Sequence, residues 1–361
     1  MRLGAWLMSA LLVLAAAPVA CSGQGGDEKP ASTGGTGASE ALTRLTIGTV
    51  DGSDFPDAPI VEYFEEQVEK LSGDQMRIVV LWGAGGEGAN FEPAIIDRVR
   101  DGDLDLGWIG SRAFDTIGVT SFRALQAPFL IQNRSHLDEV LTSPMAEEML
   151  TGLTDAGLTG LGLYPDHFRH PVGFEAPLAS LKDLQGATIR VPTSNAADAL
   201  MRSLGAKPIH LSGSGVDAAR KSGKLDGIEV SIALAPNFDA SFATSNIVFY
   251  PRVNTLFSSD EVLDRLTSEQ QDILRKAAEA TLAFALEEIP ADADASAFCE
   301  AGGTLVAAKD RDLASIEAAA RKVYTNLEAD PQTKSFIDQI EALKENDAIT
   351  EVPSSCRRVR P

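Results

Sequence analysis

From Leu45 onward the chain alternates short β-type apolar runs with segments of helical spacing. This alternation constrains the fold more than any other feature. Leu45–Val50 and Met76–Trp82 read as strands, and between them Ile60, Tyr63, Phe64, Val68 and Leu71 fall on one helical face. A helix over 91–100 and a strand over 104–109 follow. A further strand is expected over 125–131, then helices over 135–156 broken before Pro144, and a strand over 158–164. A second block repeats the rhythm: strands at 188–191, 207–211 and 227–230, helices at 196–204 and 216–222. Residues 247–257 read as extended, 268–288 as the strongest helix, and 311–344 as amphipathic helix interrupted near Asp330-Pro331. Such alternation calls for an α/β fold with largely parallel pairing.

Composition narrows the partners. With 44% apolar and 23% charged residues the chain is neither collagen-like nor wholly disordered. Lys and Arg total 31 against 52 Asp and Glu, a net charge of -21 that repels nucleic acid. The basic residues Arg357, Arg358 and Arg360 read as a solvated tail.

Residues 1–20 carry a basic Arg2, an apolar stretch from Trp6 to Ala17 and small residues before Cys21. That is a cleaved export signal, too short and Ala-rich for a membrane span. Pro18-Val19-Ala20-Cys21 resembles a bacterial lipobox, which makes Cys21 the expected lipidation site; the alternative is an ordinary signal with an incidental cysteine. Residues 22–42 are Gly/Ser/Thr-rich and read as a flexible tether. The folded body is therefore expected outside the cytoplasm, held by lipid. In that oxidising compartment Cys299 and Cys356 can pair, or remain two buried thiols.

Several motifs invite chemistry. Gly83-Ala84-Gly85-Gly86-Glu87-Gly88 matches a dinucleotide loop, but the acidic residue that should end the next strand is missing: Asp103 and Asp105 stand at its start. The preferred reading is a sharp Gly-rich turn beside a cleft, and no cofactor is expected. His167-Phe168-Arg169-His170, between Pro165 and Pro171, reads as a loop; two of only four histidines do not make a metal site. Ser212-Gly213-Ser214-Gly215 is not a nucleophile elbow. Arg190 stands between Ile189 and Val191 just before Pro192. A guanidinium at such a strand end can point into a cleft and take a carboxylate with two parallel hydrogen bonds, or it is a surface arginine on an edge strand.

Leu184-Gln185-Gly186-Ala187-Thr188-Ile189-Arg190-Val191-Pro192, then Leu204-Gly205-Ala206-Lys207-Pro208, then Gly223-Lys224-Leu225-Asp226-Gly227-Ile228-Glu229, resembles the TRAP-transporter solute-binding proteins of the DctP type. Gly102-Asp103-Leu104-Asp105, Ala127-Pro128-Phe129-Leu130 and Leu266-Thr267-Ser268-Glu269 are similar to further signatures of that family. The resemblance implies a two-lobed, type II-like periplasmic-binding-protein fold. Lobe I would take residues 43–165 with about 250–267 returning to it, lobe II residues 166–249. Residues 268–289 would be a long helix bracing both lobes, and 290–361 a C-terminal helical region. It places the carboxylate-binding arginine at Arg190 and a second at Arg169. Glu87, Ser111, Thr193 and Phe168 are implied as cleft residues, and Val230 stands where many members carry a ligand-contacting Asn. The implied function is capture of a small organic carboxylate for membrane permease subunits, with no catalysis. A ligand sensor docking on a signalling receptor, or an envelope hydrolase, are the alternatives; no nucleophile–base pair supports the last.

Overall fold

In the computed structural model residues 42–288, 295–344 and 355–356 are described, and eleven strands run through them. They are β1 (Thr43–Thr49), β2 (Met76–Leu81), β3 (Leu106–Gly110), β4 (Leu158–Phe168), β5 (His170–Gly173), β6 (Thr188–Val191), β7 (Lys207–His210), β8 (Gly227–Val230), β9 (Phe242–Thr244), β10 (Pro251–Ser259) and β11 (Thr304–Val306). They build two sheets, of order β2-β1-β3-β10-β4 and β11-β9-β5-β8-β6-β7, one in each lobe of an α/β fold.

In the first sheet β1 pairs parallel with β2 and β3. The helices Ala58–Leu71 and Phe91–Arg100 make the crossovers that parallel pairing requires. Their buried faces, Ile60, Phe64 and Val68 on one and Ile95, Ile96 and Val99 on the other, pack the sheet. β10 then comes back between β3 and β4, antiparallel to both. Its Phe257 ring fills the space left by Gly107, where a Cβ would lie 2.4 Å from the ring. The second sheet repeats the parallel logic in β6–β7 and β6–β8, with β5 antiparallel to β8 and β9.

One residue separates the sheets. β4 ends at Phe168 in the first, and β5 begins at His170 in the second. Arg169 between them donates its backbone N–H to Tyr250 O at 2.9 Å and accepts from Phe249 N–H at 2.9 Å. Residues 168–170 and 249–251 are thus two strands crossing together between the lobes. The segment read as a loop around His167 and His170 is this crossing: Pro165 and Pro171 sit in strands, opposite Val253 and Glu229. The strand expected at 125–131 is absent. Arg123–Gln126 is a 3-10 turn, and Pro128 precedes Phe129 at φ 61, a left-handed residue that ends any strand.

The helix Ser268–Glu288 lies along the helix Ala58–Leu71 and along β4, the strand that leaves for the second sheet. Tyr63 stacks on Phe284 with centroids 4.1 Å apart. No helix among the described residues is long and apolar enough to cross a membrane. The export signal, Cys21 and the tether to residue 41 lie outside the described residues.

Cys299 and Cys356 are joined by a disulfide across 57 residues, beside the apolar cluster of Phe298 and Leu305. Closing a loop of that length limits the unfolded chain, and the double Cys→Ser variant should lose about 2–4 kcal/mol. Differential scanning calorimetry with and without reductant checks this; identical melting points would contradict it.

Candidate ligand-binding site

The carboxyl ends of strands in open α/β sheets are where ligands bind. Here the ends of β1, β2 and β3 from one sheet and of β6 and β7 from the other open on one cavity of about 240 Å³. Four arginines line it: Arg112, Arg169, Arg190 and Arg252. Each comes from a different element, and all are buried. Buried charges must be paired or they are costly, so the pairing decides the chemistry.

Arg112 follows β3 and donates from Nη2 to Glu92 Oε1 at 2.8 Å. Gly110 makes room for this pair, since a Cβ there would lie 2.8 Å from Arg112 Nη1 and 2.9 Å from Glu92 Oε1. Arg252, on β10, pairs with Asp51 and lies 3.2 Å from Asp166. Arg169 Nε is 3.6 Å from Oε1 of Glu229, which is wholly buried on β8. Arg190 differs. It spends its Nε–H on the Leu211 carbonyl at 2.9 Å and sits 5.7 Å from the Phe91 ring centroid, a cation–π contact. No carboxylate among the described residues forms an ion pair with it. Burial pushes its guanidinium down to about 10, with Glu229 opposing and Arg169 adding to the shift. Burial likewise raises Glu229 above the ordinary carboxylate range, against the pull of Arg169, Arg112 and Arg190. The two Nη groups of Arg190 form a fork suited to an incoming carboxylate.

Behind Arg252 lies an acidic nest. Asp57 Oδ2 accepts from Trp108 Nε1 at 3.3 Å and from Asn254 Nδ2 at 3.2 Å. Burial and the charges of Asp51 and Asp166 push Asp57 up to about 8 from 3.8, with Arg252 opposing. The folded state therefore holds this proton through a range where the unfolded chain has lost it. Its stabilising contribution is full below about pH 4 and is lost as pH rises through about 8. Asp57→Asn should flatten that decline in melts taken from pH 4 to 9; an unchanged slope would contradict the assignment.

At the rim, Glu87 joins the lobes. Its carbonyl accepts from Ser212 Oγ at 2.7 Å, and its carboxylate accepts from Ser214 Oγ. Close by, Thr193 Oγ1 donates to Ala89 O at 2.8 Å. Gly83 and Gly86 hold this loop at φ 63 and 72, a left-handed backbone that favours glycine.

The family model described as bacterial extracellular solute-binding protein, family 7 (DctP) matches residues 47–330. The chain belongs to this family. The DctP-family chain is 24% identical to protein YiiZ of Salmonella typhimurium over 312 residues, 85% of this chain and 93% of that one. It is 28% identical to the C4-dicarboxylate-binding periplasmic protein DctP of Rhodobacter capsulatus over 116 residues, 32% of this chain and 34% of the other. A crystal structure of a TRAP periplasmic solute-binding protein from Xanthobacter autotrophicus, with bound β-D-galacturonate, superposes with TM-score 0.74 at 27% identity. That match covers 82% of this chain and 99% of the other.

In this DctP-type protein Arg190, Arg169, Glu87 and Val230 stand together on the cavity wall. Three other expected cleft residues sit beside it. Ser111 donates to Val253 O at 2.8 Å and accepts from Thr255 Oγ1 at 2.9 Å, fastening β3 to β10. Phe168 packs in the apolar core at the end of β4, and Thr193 serves the rim. The wall residues Arg112, Arg252, Asp51 and Glu92 carried no sequence signal, because they meet only once β10 returns beside β3. Ser212 and Ser214 had one, the Ser-Gly-Ser-Gly run ahead of a helix, which fails as a nucleophile motif but suits a cleft rim. His170 is buried and pushed down to about 4 by burial, and His167 Nδ1 lies 2.8 Å from Asp166 Oδ1. Among the described residues no three His, Cys, Asp or Glu side chains converge as a metal site.

Proposed function

We propose that this protein is a lipid-anchored extracytoplasmic receptor that captures a small organic carboxylate on Arg190 and delivers it to the permease subunits of a TRAP transporter. The observation that carries the reading is a buried guanidinium with its fork open to a cavity and no carboxylate among the described residues paired to it. An anion filling that place repairs an otherwise costly burial. Arg169, at the crossing strands, is the second ligand arginine. Residues 43–165 with 250–267 and residues 166–249 act as the two lobes, closing about the crossings at 168–170 and 249–251. Closure excludes water and strengthens the charged pair. The bound galacturonate of the Xanthobacter protein and the dicarboxylate named for the Rhodobacter protein both support an acid as ligand. Anchoring through Cys21 rests on the lipobox-like sequence.

A thermal-shift screen of mono- and dicarboxylates, keto acids, sugar acids and neutral sugars tests the reading. A ligand at 100 times its Kd adds about 2.7 kcal/mol, worth several degrees at roughly 2–4 °C per kcal/mol. Acids are expected to shift the melt and neutral sugars not. No shift with any acid, after refolding to remove co-purified ligand, contradicts it. Cys21→Ala should move the protein from the membrane fraction to the soluble one; continued pelleting contradicts the anchor.

A further inference from the structure

The Gly-rich loop that carries Glu87 is fastened to its own lobe. Gly83 N–H donates to Asp51 O at 3.1 Å and Ala84 N–H to Thr49 O at 2.7 Å. Arg98 Nη1 donates to Ala84 O at 2.8 Å. Gly85 approaches Phe91 so closely that a Cβ there would stand 2.3 Å from the Phe91 carbonyl oxygen. A loop held this way is preorganised, so its remaining acceptors cost little to order.

The second lobe meets those acceptors with hydroxyls. Thr193 Oγ1 donates to Ala89 O at 2.8 Å, Ser212 Oγ to Glu87 O at 2.7 Å, and Ser214 Oγ to the Glu87 carboxylate. Ser212 stands at the N-cap of the helix Gly213–Lys221, where a serine ordinarily accepts from a backbone N–H of the first turn. Ser180 and Ser194 do this for their own helices, accepting from Asp183 N–H and Ala197 N–H. Among the described residues Ser212 makes no such bond, and its hydroxyl is turned across the cleft instead. The Glu87 carboxylate meets the same helix start from the other lobe, at the positive end of the helix dipole. A second bridge is apolar: Phe55 of the first lobe packs against the second lobe's cluster around Leu234, and both line the cavity.

We propose that Glu87, Thr193, Ser212 and Ser214 form a latch across the cleft that sets how long a captured solute is held, with Glu87 a positioning residue of the closed form and not a ligand contact. This rests on the receptor reading above and assigns what governs release. The latch bonds exist only while the lobes are together, so they stabilise the closed form over the open one. All of them join protein atoms to protein atoms. The latch therefore slows release of every solute by one factor and leaves the preference among solutes unchanged.

Stopped-flow mixing and titration calorimetry of the purified full protein test this, with galacturonate, glucuronate, galactonate and succinate as probes. In Ser212→Ala and in Ser214→Ala the dissociation rate of each acid that binds is expected to rise about 3- to 10-fold. Association should stay within about twofold. Thr193→Val, which keeps the shape and removes the donor, should act alike. Glu87→Ala should match Ser214→Ala or exceed it, and the double variant should be no faster than Glu87→Ala, because the two side chains share one bond. The affinity ratio between any two acids should hold within about twofold. A purely structural defect would move neither the rate split nor the coupling in this pattern. Unchanged dissociation rates overturn the latch. A ratio that shifts about tenfold or more in Glu87→Ala makes Glu87 a ligand contact and overturns its assignment. If none of the acids binds, the receptor reading falls, and small-angle scattering decides the latch alone. The triple variant Thr193→Val, Ser212→Ala, Ser214→Ala should then show a larger radius of gyration than wild type; equal radii overturn the latch as well.

Discussion

Arg190→Ala should lower affinity for the carboxylate ligand by roughly 30-fold to 5,000-fold, the range for truncating one partner of a buried charged pair. The loss comes from the Nη fork, because Nε is already committed to the Leu211 carbonyl. Arg190→Lys should lie between wild type and alanine: it keeps the charge but replaces a planar fork by a point. The unliganded melting point should move little in Arg190→Ala. The variant gives up one hydrogen bond and the Phe91 contact, but it also removes a buried cation that no carboxylate among the described residues pairs with. Titration calorimetry reads the affinity and scanning calorimetry the fold. Unchanged affinity would remove Arg190 from the site, and unfolding would recast it as structural.

The second large effect belongs to Glu229. It pairs with Arg169, lies within the electrostatic reach of Arg112 and Arg190, and has no exposed surface. Glu229→Gln leaves buried guanidiniums without their counter-charge, a change that costs about 3–5 kcal/mol. At about 2–4 °C per kcal/mol the unliganded melting point should fall by about 6–20 °C. A bound carboxylate restores part of the missing charge, so the ligand-induced shift should exceed that of wild type. Equal melting points for variant and wild type would mean that water already screens these arginines.

How legible the fold was from residues alone depended on range. β1, β2 and the helix Ser268–Glu288 rest on local periodicity, and they appear where spacing puts them. β5, β9 and β11 are three or four residues long and exist because a partner strand holds them, which no local pattern announces. The crossing at Arg169 was hidden by its flanking prolines, which read as loop but stand at a register shift and in a short strand. Resemblance, not periodicity, carried the two-lobed architecture. Arg190 drew attention as a charged residue between Ile189 and Val191 ahead of a proline, but that pattern fits a surface arginine equally, and the resemblance alone proposed it for the cleft. Arg112 and Arg252 drew no attention. They lie far apart in sequence, among Ser, Ala and Val, and share a cavity only through the β3–β10 pairing.

The most direct measurement is a crystal structure of the protein grown with the tightest-binding acid from the screen. One ligand carboxylate is expected on the Nη edge of Arg190, both oxygens within about 2.7–2.9 Å of nitrogen, between the two sheets and with Arg169 alongside. A carboxylate held instead at Arg252 among the aspartates, or an acid bound outside this cavity with no contact to Arg190, would contradict the assignment of the site.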